Sequence, residues 1–376
     1  MAPLEQETQG HERFSALYVR DFRIFWIGQA ISFSGTWMQS VAQGWLVYSL
    51  TKSPFYLGIV AAASSMPVLF LTLIGGVVAD RVPKRNLLII TQMLSMIPAL
   101  LLGMLTDLKI ITVGEITALA FFLGTVNAFD VPARQSFLSE MVQKGRLMNA
   151  IALNSAAFNA ARIIGPMAAG LTIAAVGIAL CFYINAASFL AAIMALFMIK
   201  GRKEGTPDRV RNDTVTVSEL SKDLLEGLRF VKNRGDVFRI MLLVATISLF
   251  GIPVVTFLPV FAEDILKVGP RGLGFLGGSS GVGALAAALT IAFIGEVKKK
   301  GPFMFVSGLL FCLCLLVFSC SKDFALSAVA LALVGWGVVS FLAVANSFIQ
   351  LATPDSLRGR VMSVYTLVFL GMAPVG

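Results

Sequence analysis

The sequence predicts an all-α integral membrane protein of two parallel six-span repeats, on three observations. Of 376 residues, 57% are hydrophobic and 14% charged, too little polar surface to cover a water-soluble globule. Apolar stretches of about 20 residues, the length that crosses a hydrocarbon core, recur along the whole chain. The chain also resembles itself at an offset of 216 residues.

The spans read, in order, as 23–49, 54–78, 87–106, 112–134, 148–175, 178–199, 238–262, 272–295, 302–320, 325–350 and 361–376. A polar segment precedes the first, which is too long for a signal-peptide core, so no cleaved leader is expected. Assigning loops alternately to two sides leaves only Lys52, Lys109, Lys267, Arg271 and Lys322 on the side away from the N-terminus, with Arg162 inside a span. This bias predicts a cytoplasmic N-terminus in a bacterial inner membrane. It also explains the net charge of +9 without a nucleic-acid partner. Cys181, Cys312, Cys314 and Cys320 all fall in spans and His11 is the one histidine, which supports no disulfide framework, metal site or other cofactor.

The longest polar stretch, 201–236, separates an N-terminal bundle (1–200) from an incomplete C-terminal one (237–376). Within it Val217, Leu220, Leu224, Leu228 and Val231, after a candidate cap at Ser218, predict a surface helix. The repeat sets Phe22-Arg23-Ile24 on Phe238-Arg239-Ile240, Leu57-Gly58 on Leu273-Gly274, and Asp80 on Glu296. With a short gap, Lys144-Gly145-Arg146-Leu147-Met148 falls on Arg358-Gly359-Arg360-Val361-Met362. A second half as long as the first would run roughly 40 residues further, so a C-terminal truncation after about eleven helices is expected.

Span two ends in Gly75-Gly76-Val77-Val78-Ala79-Asp80-Arg81-Val82-Pro83-Lys84-Arg85. This resembles the loop signature G-x-x-x-D-R-x-G-R-R of the major facilitator superfamily, with Pro83 in place of glycine. Span four closes on Asp130-Val131-Pro132-Ala133-Arg134-Gln135, and span five carries Asn159, Arg162, Gly165-Pro166 and Gly170. These stretches, with Trp45-Leu46-Val47-Tyr48, are similar to the transmembrane secretion effector branch, the bacterial enterobactin-exporter-like transporters. The resemblance implies a major facilitator fold and a cytoplasmic latch. In that latch Gly76 lets span two approach span eleven, Asp80 caps span eleven, and Lys84 pairs with an acid ending span four, for which Asp130 is the candidate. Arg81, Arg85 and Arg134 belong to the same cluster. Gly165-Pro166 resembles a motif of efflux members.

In span one Gln29, Ser32, Thr36, Gln39 and Gln43 share one helical face and are expected to line a central cavity; helix packing is the other reading of such residues. Asn127, Asn159 and Asn346 are candidates of the same type. Arg162, near mid-membrane, is the candidate contact for an anionic substrate, since a charge at that depth faces a cavity or a partner. The run Gly272-Leu273-Gly274-Phe275-Leu276-Gly277 matches a dinucleotide fingerprint but lies in a span with no strand before it, so helix packing is expected instead.

No catalytic constellation or phosphate-binding loop can be assembled, so the chain is not read as an enzyme. The expected function is a monomeric secondary transporter. It would export small amphipathic molecules, siderophore or drug-like, by alternating access in exchange for protons, with Asp130 the candidate proton carrier. A lysophospholipid flippase or a facilitator is the rival within transport; a non-transporting sensor or assembly partner is the rival outside it.

Overall fold

A computed structural model describes residues 15–199, 217–295, 297, 299–373 and 375–376. Residues 201–216 of the expected linker and Glu296 lie outside them, as do the side chains of 217–224. Every regular element among the described residues is helical. Apolar solvent explains why: lipid offers backbone groups no hydrogen bonds, so each segment must satisfy its own.

The first six spans are α1 (Arg20–Thr51), α2 (Pro54–Arg81), α3 (Lys84–Asp107), α4 (Val113–Met141), α5 (Lys144–Ala175) and α6 (Ile178–Met198). Helix α4 starts in a capping box in which Glu115 accepts from the Thr112 backbone at 2.7 Å. It runs past the boundary expected near 134 to Met141, because Pro132 is followed by good helix formers. The linker helix α7 (Val217–Asn233) is present and ends in buried Val231.

The seventh span is not the single helix expected over 238–262. It is α8 (Gly235–Thr246), a wide turn (Ile247–Gly251), a tight turn (Ile252–Val255), the short α9 (Leu258–Val260) and another wide turn (Phe261–Ile265). Pro253 and Pro259 each remove a backbone donor and crowd the preceding turn, so the regular ladder cannot continue. Four spans follow: α10 (Gly269–Ile294), α11 (Lys300–Cys320), α12 (Phe324–Ala352) and α13 (Asp355–Met372). The eleven spans read from the sequence thus all have helical counterparts. Eight of these helices, and the run Gly235–Val255 taken as one, are long and apolar enough to cross a membrane by length and composition; α1 and α13 fall short because the polar face of α1 and Arg358 and Arg360 of α13 dilute them.

Within the first six helices α1 packs between α5 and α6, α2 against α4, and α3 against α6; further on, α12 packs against α10 and α11. Lipid tails are as apolar as the side chains, so close approach rather than hydrophobic burial holds such helices together. Phe70, Ile90, Phe121, Leu190, Leu242, Phe305 and Val329 are exposed apolar residues on these helices.

Candidate functional site

The two groups of helices meet chiefly along α5 and α10. A Cβ on Gly274 would stand 2.6 Å from the Pro166 carbonyl and 2.9 Å from Gly170 Cα, so only glycine allows this crossing. Gly165 serves a different crossing, since a Cβ there would lie 2.9 Å from the Ser34 carbonyl of α1. Past the α5–α10 contact, at the end carrying Lys52, the groups are bridged. The Tyr48 hydroxyl donates to Asp264 Oδ2, and Lys52 Nζ lies 3.0 Å from Glu263 Oε1. Lys52 ends α1 at φ 49°, a left-handed conformation that turns the chain sharply into Ser53-Pro54.

At the opposite end, where the signature loop lies, no such bridge exists among the described residues. A Cβ on Gly76 would meet nothing within 4 Å, and Asp80 and Arg81 are exposed. Helix α2 touches α13 at Leu69 and Gly371 instead, and no side chain caps the start of α13. The two groups are thus bridged at the Lys52 end and not at the signature end among the described residues, and the Gly76 approach and the Asp80 cap are not made in this conformation. The neighbouring Gly75 is the tight one, lying against the Ala128 carbonyl of α4.

The expected pairing of Lys84 with Asp130 is corrected. Lys84 Nζ lies 2.6 Å from Glu140 Oε1, because the longer α4 puts Glu140 at its end and Asp130 deep inside. Arg85 likewise stays within the first six helices, its Nε donating at 2.8 Å to the Leu196 carbonyl at the end of α6, where unpaired carbonyls favour a cation.

Asp130 is 1% exposed and heads a buried polar chain. Thr91 Oγ1 and Gln92 Nε2 of α3 donate to its Oδ1 at 2.7 and 2.9 Å, Ser32 of α1 donates to Gln92 at 3.3 Å, and Arg134 forms an ion pair with its Oδ2. Ser32 is therefore in the seam between helices rather than on an open cavity. Gln39 is also buried, accepting from Asn185 of α6 at 2.7 Å, and Gln29 is 1% exposed. The polar face of α1 splits: Ser32 and Gln39 hydrogen-bond to neighbouring helices, Gln29 is buried with its Oε1 unpartnered among the described residues, Thr36 stays exposed and Gln43 is half-buried.

Beside them runs a ladder of rings that the sequence reading missed. Arg134 lies over the Phe33 ring (4.8 Å), Phe33 packs edge-on to Phe158 (5.5 Å), Phe158 to Trp37 (5.8 Å), and Arg162 lies over Trp37 (5.8 Å). Phe158 is 42% exposed, and Arg162 is half-buried with no acid partner among the described residues. Asn127 and Asn159 are half-buried on α4 and α5, Asn159 donating to Ser155 of its own helix at 2.9 Å. Asn346 lies away from the ladder on α12, accepting from Gln350 at 2.6 Å. Aromatic residues at two helices give no periodic signal of their own, which is why the ladder is illegible before the helices are packed. The Tyr48 and Asp264 bridge did have a signal, a separation equal to the repeat offset.

Residues 12–376 match the family described as transmembrane secretion effectors. The chain is 27% identical over 350 residues to the multidrug efflux pump Tap of Mycolicibacterium fortuitum, covering 91% of this chain and 84% of that protein. It is 25% identical over 349 residues to the enterobactin exporter EntS of Shigella boydii, covering 92% and 80%. The solved structure of the nucleoside transporter NupG superposes with a TM-score of 0.73 at 13% identity, covering 95% of this chain and 88% of that one.

Proposed function

We propose, on the premise that this chain belongs to the transmembrane secretion effector family of major facilitator transporters, that it exports small amphipathic molecules by alternating access. It is a multi-pass membrane transporter of a small-molecule substrate, not an enzyme. Drug-like compounds and siderophores are the cargo classes this reading takes from its relatives, whose names give drug efflux and enterobactin export. The N-terminus is assigned to the cytoplasm from the positions of the basic residues, so the conformation described above is open inward. A single chain works by rocking residues 1–200 against 237–376, with 201–236 as the tether, and protons drive the cycle.

The observation that carries the reading is Arg162. Charges at mid-helix in a membrane protein are costly and face a cavity or partner. This one lies over the Trp37 ring beside exposed Phe158 and has no carboxylate partner among the described residues. A cation beside exposed rings suits an amphipathic cargo with a flat apolar body and an anionic or electron-rich group.

The test is accumulation of a fluorescent efflux substrate in bacteria lacking their major pumps and expressing this chain, with and without a proton uncoupler. Lower accumulation that the uncoupler abolishes is expected. Lower accumulation that survives the uncoupler would replace proton exchange by facilitation, and unchanged accumulation across drug-like and siderophore cargo would overturn export.

A further inference from the structure

We propose that cargo reaches Arg162 from the inner leaflet of the bilayer, through an opening between α5 and α10. The substrate class is then an anionic amphiphile, taken up while its apolar body is still in the membrane. The inference rests on the export reading above and adds the route of entry.

Two helix faces carry it. On α5, residues spaced alternately four and three apart fall on one side of the helix. Towards the Lys52 end Ile173, Ala169 and Pro166 of that side are buried, and Arg162 and Asn159 after them are half-buried. Towards the signature end Ser155, Ala152 and Met148 of the same side are exposed, Met148 by 78%. The facing side of α10 changes in the same order: Gly274 and Gly281 are buried, Leu285 is half-buried, and Ala288 and Ala292 are exposed. The contacts agree. A Cβ on Gly278 would lie 2.7 Å from Met167 Cγ, and one on Gly281 would lie 2.9 Å from the Arg162 carbonyl. Each helix is continuous through this stretch, so a face covered over one half and bare over the other means that its partner moves away. Helices α5 and α10 touch as far as Arg162 and Gly281, and part from there towards the signature end.

The opening adjoins lipid. Phe275, Val282 and Leu289, seven residues apart on one side of α10, are exposed along its length, including the end where the two groups of helices are bridged. That side therefore faces the bilayer, and it lies next to the side bearing Ala288 and Ala292. The walls of the opening, Met148, Ala152 and Ser155 against Ala288 and Ala292, carry no charge and one hydroxyl. Such walls offer a hydrated solute little, while small side chains leave room for a hydrocarbon chain or a ring. Arg162 stands where the helices meet, over the Trp37 ring at 5.8 Å and beside exposed Phe158. A lone cation at this depth is costly until an anion joins it, and the rings suit an aromatic body held next to that anion. An amphiphile in the leaflet already has its apolar body at the depth of the opening. The signature end is cytoplasmic by the bias of basic residues, so the leaflet is the inner one.

The probe is 4-octylbenzenesulfonate carrying a photoactivated diazirine in its chain, with tailless benzenesulfonate as the competitor. The protein is irradiated in nanodiscs and the labelled residues are mapped by mass spectrometry. Labels are expected within 148–155 of α5 and 288–292 of α10, and they should be lost with excess benzenesulfonate and in Arg162→Gln. Ala152→Trp combined with Ala288→Trp should weaken binding of the octyl compound about tenfold, the effect of displacing two methylenes from apolar surface, and should weaken benzenesulfonate binding less. Labels confined to α4 or α12 and displaced by benzenesulfonate would overturn the route and leave the anion contact standing. Labels in the opening that neither benzenesulfonate nor Arg162→Gln removes would mark probe dissolved in surrounding lipid, and would overturn the route as well. No displaceable label anywhere on wild type would overturn both the route and the anionic reading of Arg162. The map is made on wild type and so does not depend on a variant folding. Export is read separately by the accumulation assay above, which keeps a failure of export distinct from a failure of the route.

Discussion

Tyr48 and Asp264 hydrogen-bond across the Lys52 end, where the two groups of helices are bridged, and they stand 216 residues apart, the offset at which the chain repeats itself. Equivalent ends of the first and seventh spans therefore meet each other. The rocking of one half against the other that the proposed alternating access requires would break this contact and the neighbouring Lys52–Glu263 pair together.

Removing the bridge should favour the conformation open at the Lys52 end. A hydrogen bond to a charged group contributes about 1.5–3 kcal/mol, whereas an exposed ion pair gives roughly 0–1 kcal/mol. Tyr48→Phe should thus shift the population by more than Lys52→Gln does. Electron-resonance distances between labels at Ser53 and Arg271 would read it; equal shifts, or none, would contradict the assignment of the bridge.

Charge reversal distinguishes the two acids of α4. Lys84→Glu and Glu140→Lys should each lower thermal stability in detergent slightly, by about 1 kcal/mol for a pair whose acid is exposed, and should compensate one another when combined. Lys84→Asp with Asp130→Lys should show no compensation, because Asp130 is bonded to Arg134, Thr91 and Gln92 instead. Rescue of the second pair and not the first would reverse the assignment.

The α5–α10 crossing depends on Gly274. Gly274→Leu should leave each half folded yet force Pro166 and Gly170 away, at a cost of about 1–3 kcal/mol for overpacking. The expected outcome is normal expression and monodispersity with transport largely lost and the Lys52 end held open. Wild-type transport in this variant would mean that the close approach is dispensable.

Trp37→Leu tests the ladder without touching a charge. Losing the ring under Arg162 removes a cation–π contact of about 0.5–2 kcal/mol, so affinity for an aromatic anion should fall several-fold in an equilibrium binding assay. A matching fall for Trp336→Leu, a ring that packs on Phe303 far from the ladder, would show that the effect is general loosening.

The positions of the spans were legible because lipid demands long apolar helices whatever they pack against, and Arg162 stood out because a charge at mid-span is rare. The break in the seventh span comes from Pro253 and Pro259, which stand inside an apolar run whose hydropathy alone predicts one helix over 238–262. Gln29, Ser32, Thr36, Gln39 and Gln43 looked like one cavity-lining face, since spacing fixes direction around a helix but not the neighbour found there.

By itself, then, the sequence determined an all-helical membrane chain, its repeat, its family signature and the charge bias across it, all properties of local composition and spacing. Only the tertiary structure decided which acid Lys84 meets, that Gln29, Ser32 and Gln39 are buried in helix seams, and that Phe33, Phe158 and Trp37 line up between Arg134 and Arg162. Those are contacts between segments dozens of residues apart, and their geometry is set by how closely particular glycines let the helices cross.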